Sequence, residues 1–214
     1  DKLNIHHNAI NQNGNNAPTA VGGGVALYTG SNDYTVADNQ ICGNFSQGNG
    51  GGFGQLGLAR NLDGAANVWG GLIQRNKVLF NQSFQQQAGA HGGGLYIAGQ
   101  PSPAGGLSEG SGSIQVSENL IQGNQAGAGS GAGIRAENVN GTDVSNASVN
   151  DWYRLLVANN IIVNNSAGLA GGGISLKDVA RSSIVYNTIA NNDSTATAAA
   201  AFAPGDLLHS QNQP

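Results

Sequence analysis

Charge is scarce in this chain. Of its 214 residues only 9% are Asp, Glu, Lys or Arg, twelve acidic and eight basic, for a net charge of −4. Phosphate recognition needs a clustered basic footprint, so eight scattered cations argue against a nucleic-acid partner. Cysteine occurs once, at Cys42, which excludes a disulfide within the chain. No apolar run reaches the roughly 20 residues of a membrane-spanning helix. Methionine is absent, and the opening DKLNIHHNAI has no signal-peptide pattern, so the expectation is a processed secreted protein or a fragment of a longer chain. The four histidines, His6, His7, His91 and His209, show no metal-ligand spacing, and no cofactor motif is present.

What is abundant is small, amide-bearing or apolar: 35 glycines, 28 asparagines and 39% hydrophobic residues, enough to build a core. The asparagines are ordered. A template of Ile or Val, two positions, Asn, one position, Ile or Val, two positions, Asn occurs six times. The copies read IHHNAINQN, VADNQICGN, IQRNKVLFN, VSENLIQGN, VANNIIVNN and IVYNTIANN. Its first asparagines are Asn8, Asn39, Asn76, Asn119, Asn160 and Asn187; its second are Asn13, Asn44, Asn81, Asn124, Asn165 and Asn192. A glycine cluster such as VGGGVAL, HGGGLYI or GGGISL follows most copies, and TATAAAAF follows the sixth. Six complete copies, 27 to 43 residues apart, define a structural repeat with variable insertions.

Asparagine and glycine disfavour helix interiors, whereas alternate residues of short strands face one side. Two or three strands per copy are expected. Ile5, Val36, Ile73, Val116, Val157 and Ile184 then stack in one internal column, and Ile10, Ile41, Val78, Ile121, Ile162 and Ile189 in a second. The asparagines sit at corners, where they tolerate left-handed backbone and stack as amide ladders about 4.8 Å apart. Glycines allow sharp bends and close approach. The pattern resembles right-handed parallel β-helix proteins of the pectate-lyase-like superfamily. Its I-x-x-N and GGG units are similar to repeats of polymorphic outer-membrane and related bacterial surface proteins. The resemblance covers about residues 3 to 202 and implies one all-β solenoid of about six rungs, extracellular or on a bacterial outer membrane. The domain is read as 1–214, with 203–214 as a tail.

The long insertions, 57–70, 98–112 and 137–153, fall after the glycine strand and emerge on one side. They bring Trp69, Trp152 and Tyr153 near Arg60, Asp63 and Tyr34. Such aromatics with carboxylates suit a carbohydrate or protein ligand; alternatively, the tryptophans fold back as lids that anchor the loops. Asp38, Arg75 and Glu118, each preceding a first ladder asparagine, read as an outward ladder of alternating charge or as lyase-type catalytic groups. Leu79, Leu120, Ile161 and Val163 form an outward apolar patch, covered by an insertion or meant for a protein partner or a second copy. Most Asn-x-Ser/Thr sequons fall on ladder positions, leaving Asn140 and Asn146 as loop positions open to a glycan.

Two functions follow. One is a non-enzymatic extracellular or cell-surface scaffold for adhesion, assembly or carbohydrate or protein binding through the loop face. The other is a polysaccharide lyase or glycoside hydrolase, which requires carboxylates gathered in a cleft. The best catalytic candidates are Asp143, Asp151 and Arg154, with Asp178 and Arg181 one rung on.

Overall fold

The computed structural model describes residues 2–63, 68–85 and 89–195. The expected tail, 203–214, and the TATAAAAF end of the sixth copy from 196 onward lie outside the described residues. The chain winds as a right-handed parallel β-helix whose strands form four parallel sheets, three of six strands and one of five. A full rung carries four strands rather than the two or three expected. In the second rung these are Tyr34–Ala37, Gln40–Cys42, Phe45–Ser46 and Phe53–Leu56. The fourth is the strand that leaves each glycine cluster, and the third has only two residues.

Neighbouring rungs pair in register, so the repeat positions superpose. Val36 lies against Ile5 and Ile73, and Ile41 against Ile10 and Val78. Both expected columns are present. Val36, Ile73, Val116 and Val157 are fully buried, as are Ile41, Val78, Ile121 and Ile162. Each such side chain contributes roughly 1.5–3 kcal/mol on leaving water. Phe53, Leu95 and Ile134 add a third column on the fourth sheet.

Both asparagine series form continuous ladders. Asn39 Nδ2 donates to Asn76 Oδ1 at 3.0 Å, Asn76 to Asn119 at 3.0 Å and Asn119 to Asn160 at 3.0 Å. The second series runs the same way from Asn13 to Asn192. The left-handed backbone, however, falls on the residue before each ladder asparagine. Asp38, Arg75 and Glu118 have φ of 58°, 54° and 59°, and Phe80 has 53°. The ladder asparagine itself keeps a negative φ, and its amide reaches the neighbouring rung, where it satisfies backbone groups that the turn strips from the sheets. Gly94 shows why the glycines recur: a Cβ there would sit 3.1 Å from the Asn124 amide and 2.8 Å from the Gly133 carbonyl.

Tyr34 is not on the loop face. It is 1% exposed inside the coil, its ring above Gly71, and its hydroxyl donates to Gln55 Oε1 at 2.6 Å. Gln55, equally buried, donates to the carbonyls of Gly57 and Ser111. The small residue at 71 opens room for a large ring one rung away, and sequence position alone did not reveal that exchange.

Candidate functional site

The connections between Leu56 and Gly71, Ala98 and Ile114, and Glu137 and Leu155 all leave the coil at the corner between the fourth and first sheets. The last of them folds into two short 3-10 turns, Thr142–Ser145 and Val149–Asp151. It is organised around one carboxylate. Asp143, 6% exposed, accepts from the Gly141 N–H, the Asn140 amide at 2.8 Å and the Tyr153 N–H at 2.7 Å. Asn140 also donates to the Tyr153 carbonyl and accepts from the Ala180 N–H, both at 2.8 Å. Asn140 is therefore a buried strut and closed to a glycan, contrary to the sequence expectation. Asn146 is exposed.

Both tryptophans make anchoring contacts. The Trp152 indole N–H donates to the Asn146 carbonyl at 3.0 Å, closing the insertion on itself. Arg181 reaches across from the next rung to the carbonyls of Asn150 and Trp152, at 3.0 and 3.2 Å. The Arg154 guanidinium lies 4.1 Å above the Trp69 ring, a cation–π contact joining two insertions.

Between these parts lies a cleft of about 460 Å³, lined among others by Arg60, Asn61, Asp143, Asp151 and Tyr153. Burial raises the Tyr153 hydroxyl's pKa, the Asp143 charge raises it further and Arg60 partly offsets them. Burial, then the charge of Arg181, lowers that of Arg154. Beside this cleft, a second of about 400 Å³ is bordered by Leu107, Asn138, Val179 and Asp178.

The structure thus gathers Arg60, Asp143, Asp151, Tyr153 and, at the margin, Trp69, Trp152, Arg154 and Arg181. Asp178 faces the second cleft. Asp63 stands apart in an exposed ion pair with Lys2 at 3.8 Å. Leu79, Leu120, Ile161 and Val163 share the outer wall of the second sheet: Leu120 pairs with Ile161, and Leu79 and Val163 flank Gln122. Ile161 is 48% exposed and the other three are partly covered. Arg75 grips Asp38 through two hydrogen bonds of 2.9 Å on the solvent side, and Glu118 adds its charge to Arg75.

One titratable cluster escaped the sequence reading. On the outer face of the fourth sheet, the Tyr96 hydroxyl donates to Glu137 Oε1 at 2.6 Å and Arg135 Nη2 to Glu137 Oε2 at 2.7 Å. His91 Nδ1 accepts the Ser130 N–H at 3.0 Å nearby. The alternation in IRAE, residues 134 to 137, places Arg135 and Glu137 on one face, but the burial of Tyr96 and Arg135 there was not legible. Among the described residues no group of three His, Cys, Asp or Glu could hold a metal ion, and no helix is long and apolar enough to cross a membrane.

Fold and site together define a loop-decorated parallel β-helix. Compared with known proteins, the chain matches no family model, no curated protein and no solved structure.

Proposed function

We propose that this protein is a non-enzymatic extracellular or cell-surface scaffold of adhesin-like type, which binds a polysaccharide or protein partner in the loop-face cleft. The observation that carries this reading is the state of Asp143. Hydrolysis by paired acids, or β-elimination, needs carboxylates free to exchange protons with substrate or to hold a cation. Three donors from its own loop occupy Asp143, and it serves as the hub of the insertion. Asp151 is then left as the lone solvated carboxylate lining the cleft. What faces a ligand is Arg60, Tyr153, amides and the edge of the Trp69–Arg154 stack, which suits holding rather than turnover.

The test is incubation with a panel of plant and bacterial polysaccharides, monitored for new reducing ends or unsaturated uronides and, in parallel, for binding. The expected result is saturable binding without turnover, weakened at least about tenfold, roughly 1.4 kcal/mol, by Trp152→Ala. Turnover that is lost in Asp151→Asn and Arg154→Ala would assign the cleft to a lyase or hydrolase instead.

A further inference from the structure

The corner between the second and third sheets departs from its own repeat. At the left-handed position before the second ladder asparagine, the six rungs carry Gln12, Gly43, Phe80, Gly123, Asn164 and Asn191. The outward slot of the third strand holds Gly14, Phe45, Gln82, Gln125, Ser166 and Asp193. Phe84 stands where the adjacent rungs have Gln47 and Gly127. The coil itself requires no aromatic ring at any of these positions. Three of the five phenylalanines of the chain nevertheless converge there.

Their geometry is that of a platform. Phe80 keeps φ at 53°, a conformation unfavourable for a bulky side chain, and is 61% exposed. Its ring lies over Gly123, where a Cβ would come within 2.5 Å of it, and the Phe45 ring lies likewise over Gly14. Phe45 meets Phe84 edge to face, with ring centres 5.7 Å apart. The three rings border a groove of about 410 Å³ with Gln82, Gly43 and Asn44, and among the described residues no charged side chain lines it. Local folding preference favours Gly, Asn or Gln at the left-handed position, as the other rungs show, so Phe80 costs the coil conformational strain and leaves apolar area exposed.

We propose that this groove is a binding site for a neutral polysaccharide chain, separate from the loop-face cleft. The C–H faces of pyranose rings stack on flat aromatic rings, and the Gln82 amide offers a donor and an acceptor to ring hydroxyls. With no lining cation among the described residues, the attraction that a uronate or sulfated glycan would need is missing. A protein partner is disfavoured by size: the six described lining residues are far fewer than the roughly 20–30 per side of a stable interface. The corner lies two corners from the loop-bearing one in either direction round the coil, so both sites can be filled together.

The test uses the full chain with cellohexaose, xylohexaose and mannohexaose as probes, hexagalacturonate as the charged control, and ligand-detected NMR as the readout. Phe45→Gln and Phe80→Asn install the repeat's own residues. The double variant should lose at least about tenfold in affinity for the neutral probe, with a melting temperature within about 2 °C of the parent or higher. Should the double variant not fold, Phe80→Asn alone gives the same reading. Trp152→Ala should leave this binding unchanged, which separates its fate from that of the loop face. The proposal is overturned if no neutral hexasaccharide binds, if the variants bind as well as the parent, or if hexagalacturonate binds equally well. Loss of self-association, rather than of sugar binding, in the double variant would also overturn it.

Discussion

Asn119 Oδ1 accepts two hydrogen bonds from Asn76, one from its backbone N–H at 2.9 Å and one from its side-chain amide at 3.0 Å. Asn119 Nδ2 in turn reaches Asn160 Oδ1 at 3.0 Å and the Ile73 carbonyl at 2.9 Å. One side chain thus completes backbone on its own and the preceding rung, in a site that water does not reach. The ladder is a repeated solution to the same deficit, and its value depends on burial.

Removing an interior rung of the ladder should therefore cost far more than removing an end. Asn119→Ala strands the buried Asn76 N–H and removes the donor to the Ile73 carbonyl, while Asn76 Nδ2 keeps the Val36 and Gln74 carbonyls, and should destabilise by about 2–3 kcal/mol. Asn8→Ala, on the exposed first rung, should cost under about 1 kcal/mol. Urea unfolding of the two variants measures the difference, and equal losses would refute the burial argument.

The left-handed corner gives a second contrast. Glu118 occupies φ 59° with its side chain outward. Glu118→Asn should be neutral or stabilising by about 0.5 kcal/mol, whereas Glu118→Ile should destabilise by about 2 kcal/mol, since branching at Cβ crowds the left-handed conformation. Thermal unfolding distinguishes the pair.

The outer cluster of the fourth sheet makes stability depend on pH. Burial raises the Glu137 carboxyl's pKa, but the hydrogen bonds from Tyr96 and Arg135 and the arginine's charge outweigh it and hold the group below the usual range. Burial, then the charge of Arg135, depresses that of His91. Both folded values lie under the unfolded ones, so both contributions are complete at high pH and are lost as pH falls. Stability should begin to decline below about pH 6.5, where the unfolded chain's imidazole takes up a proton that folded His91 resists, and again below about pH 4.3, where the unfolded carboxyl of residue 137 does the same. His91→Gln should flatten the upper step and Glu137→Gln the lower one in unfolding midpoints measured from pH 8 to 3.5.

Asp143 links the fold to the functional reading. Asp143→Ala should unfold the 137–153 insertion and destabilise by about 2–4 kcal/mol through three lost hydrogen bonds to a charged group. A purely catalytic carboxylate would leave stability unchanged when removed.

The repeat made the coil legible because the two ladder asparagines and the two apolar columns recur at fixed spacing, whatever lies between copies. The third strand was harder to see, since Phe45–Ser46 and its counterparts have only two residues, too few for an alternation to show. Gathering Trp69, Tyr153, Arg60 and Asp151 at one corner followed from where the insertions leave. Which of them turn outward did not. Tyr34 goes inside because Gly71 vacates space one rung away, and Asp143 is consumed by backbone N–H groups. Both depend on contacts between residues distant in sequence.

The corners and clefts all rest on the stacking of rungs, and the single cysteine tests it directly. Cys42 lies in register with Leu79 on the outer wall of the second sheet, while Gln122 is a further rung away. Paired positions on adjacent strands are about 4.8 Å apart, within reach of a disulfide, and positions two rungs apart are not. Leu79→Cys should oxidise to an intramolecular disulfide, seen as the loss of two hydrogens in the intact mass, while Gln122→Cys keeps both thiols free. A free thiol pair in Leu79→Cys, or equal cross-linking in Gln122→Cys, would contradict the rung register and the sites built on it.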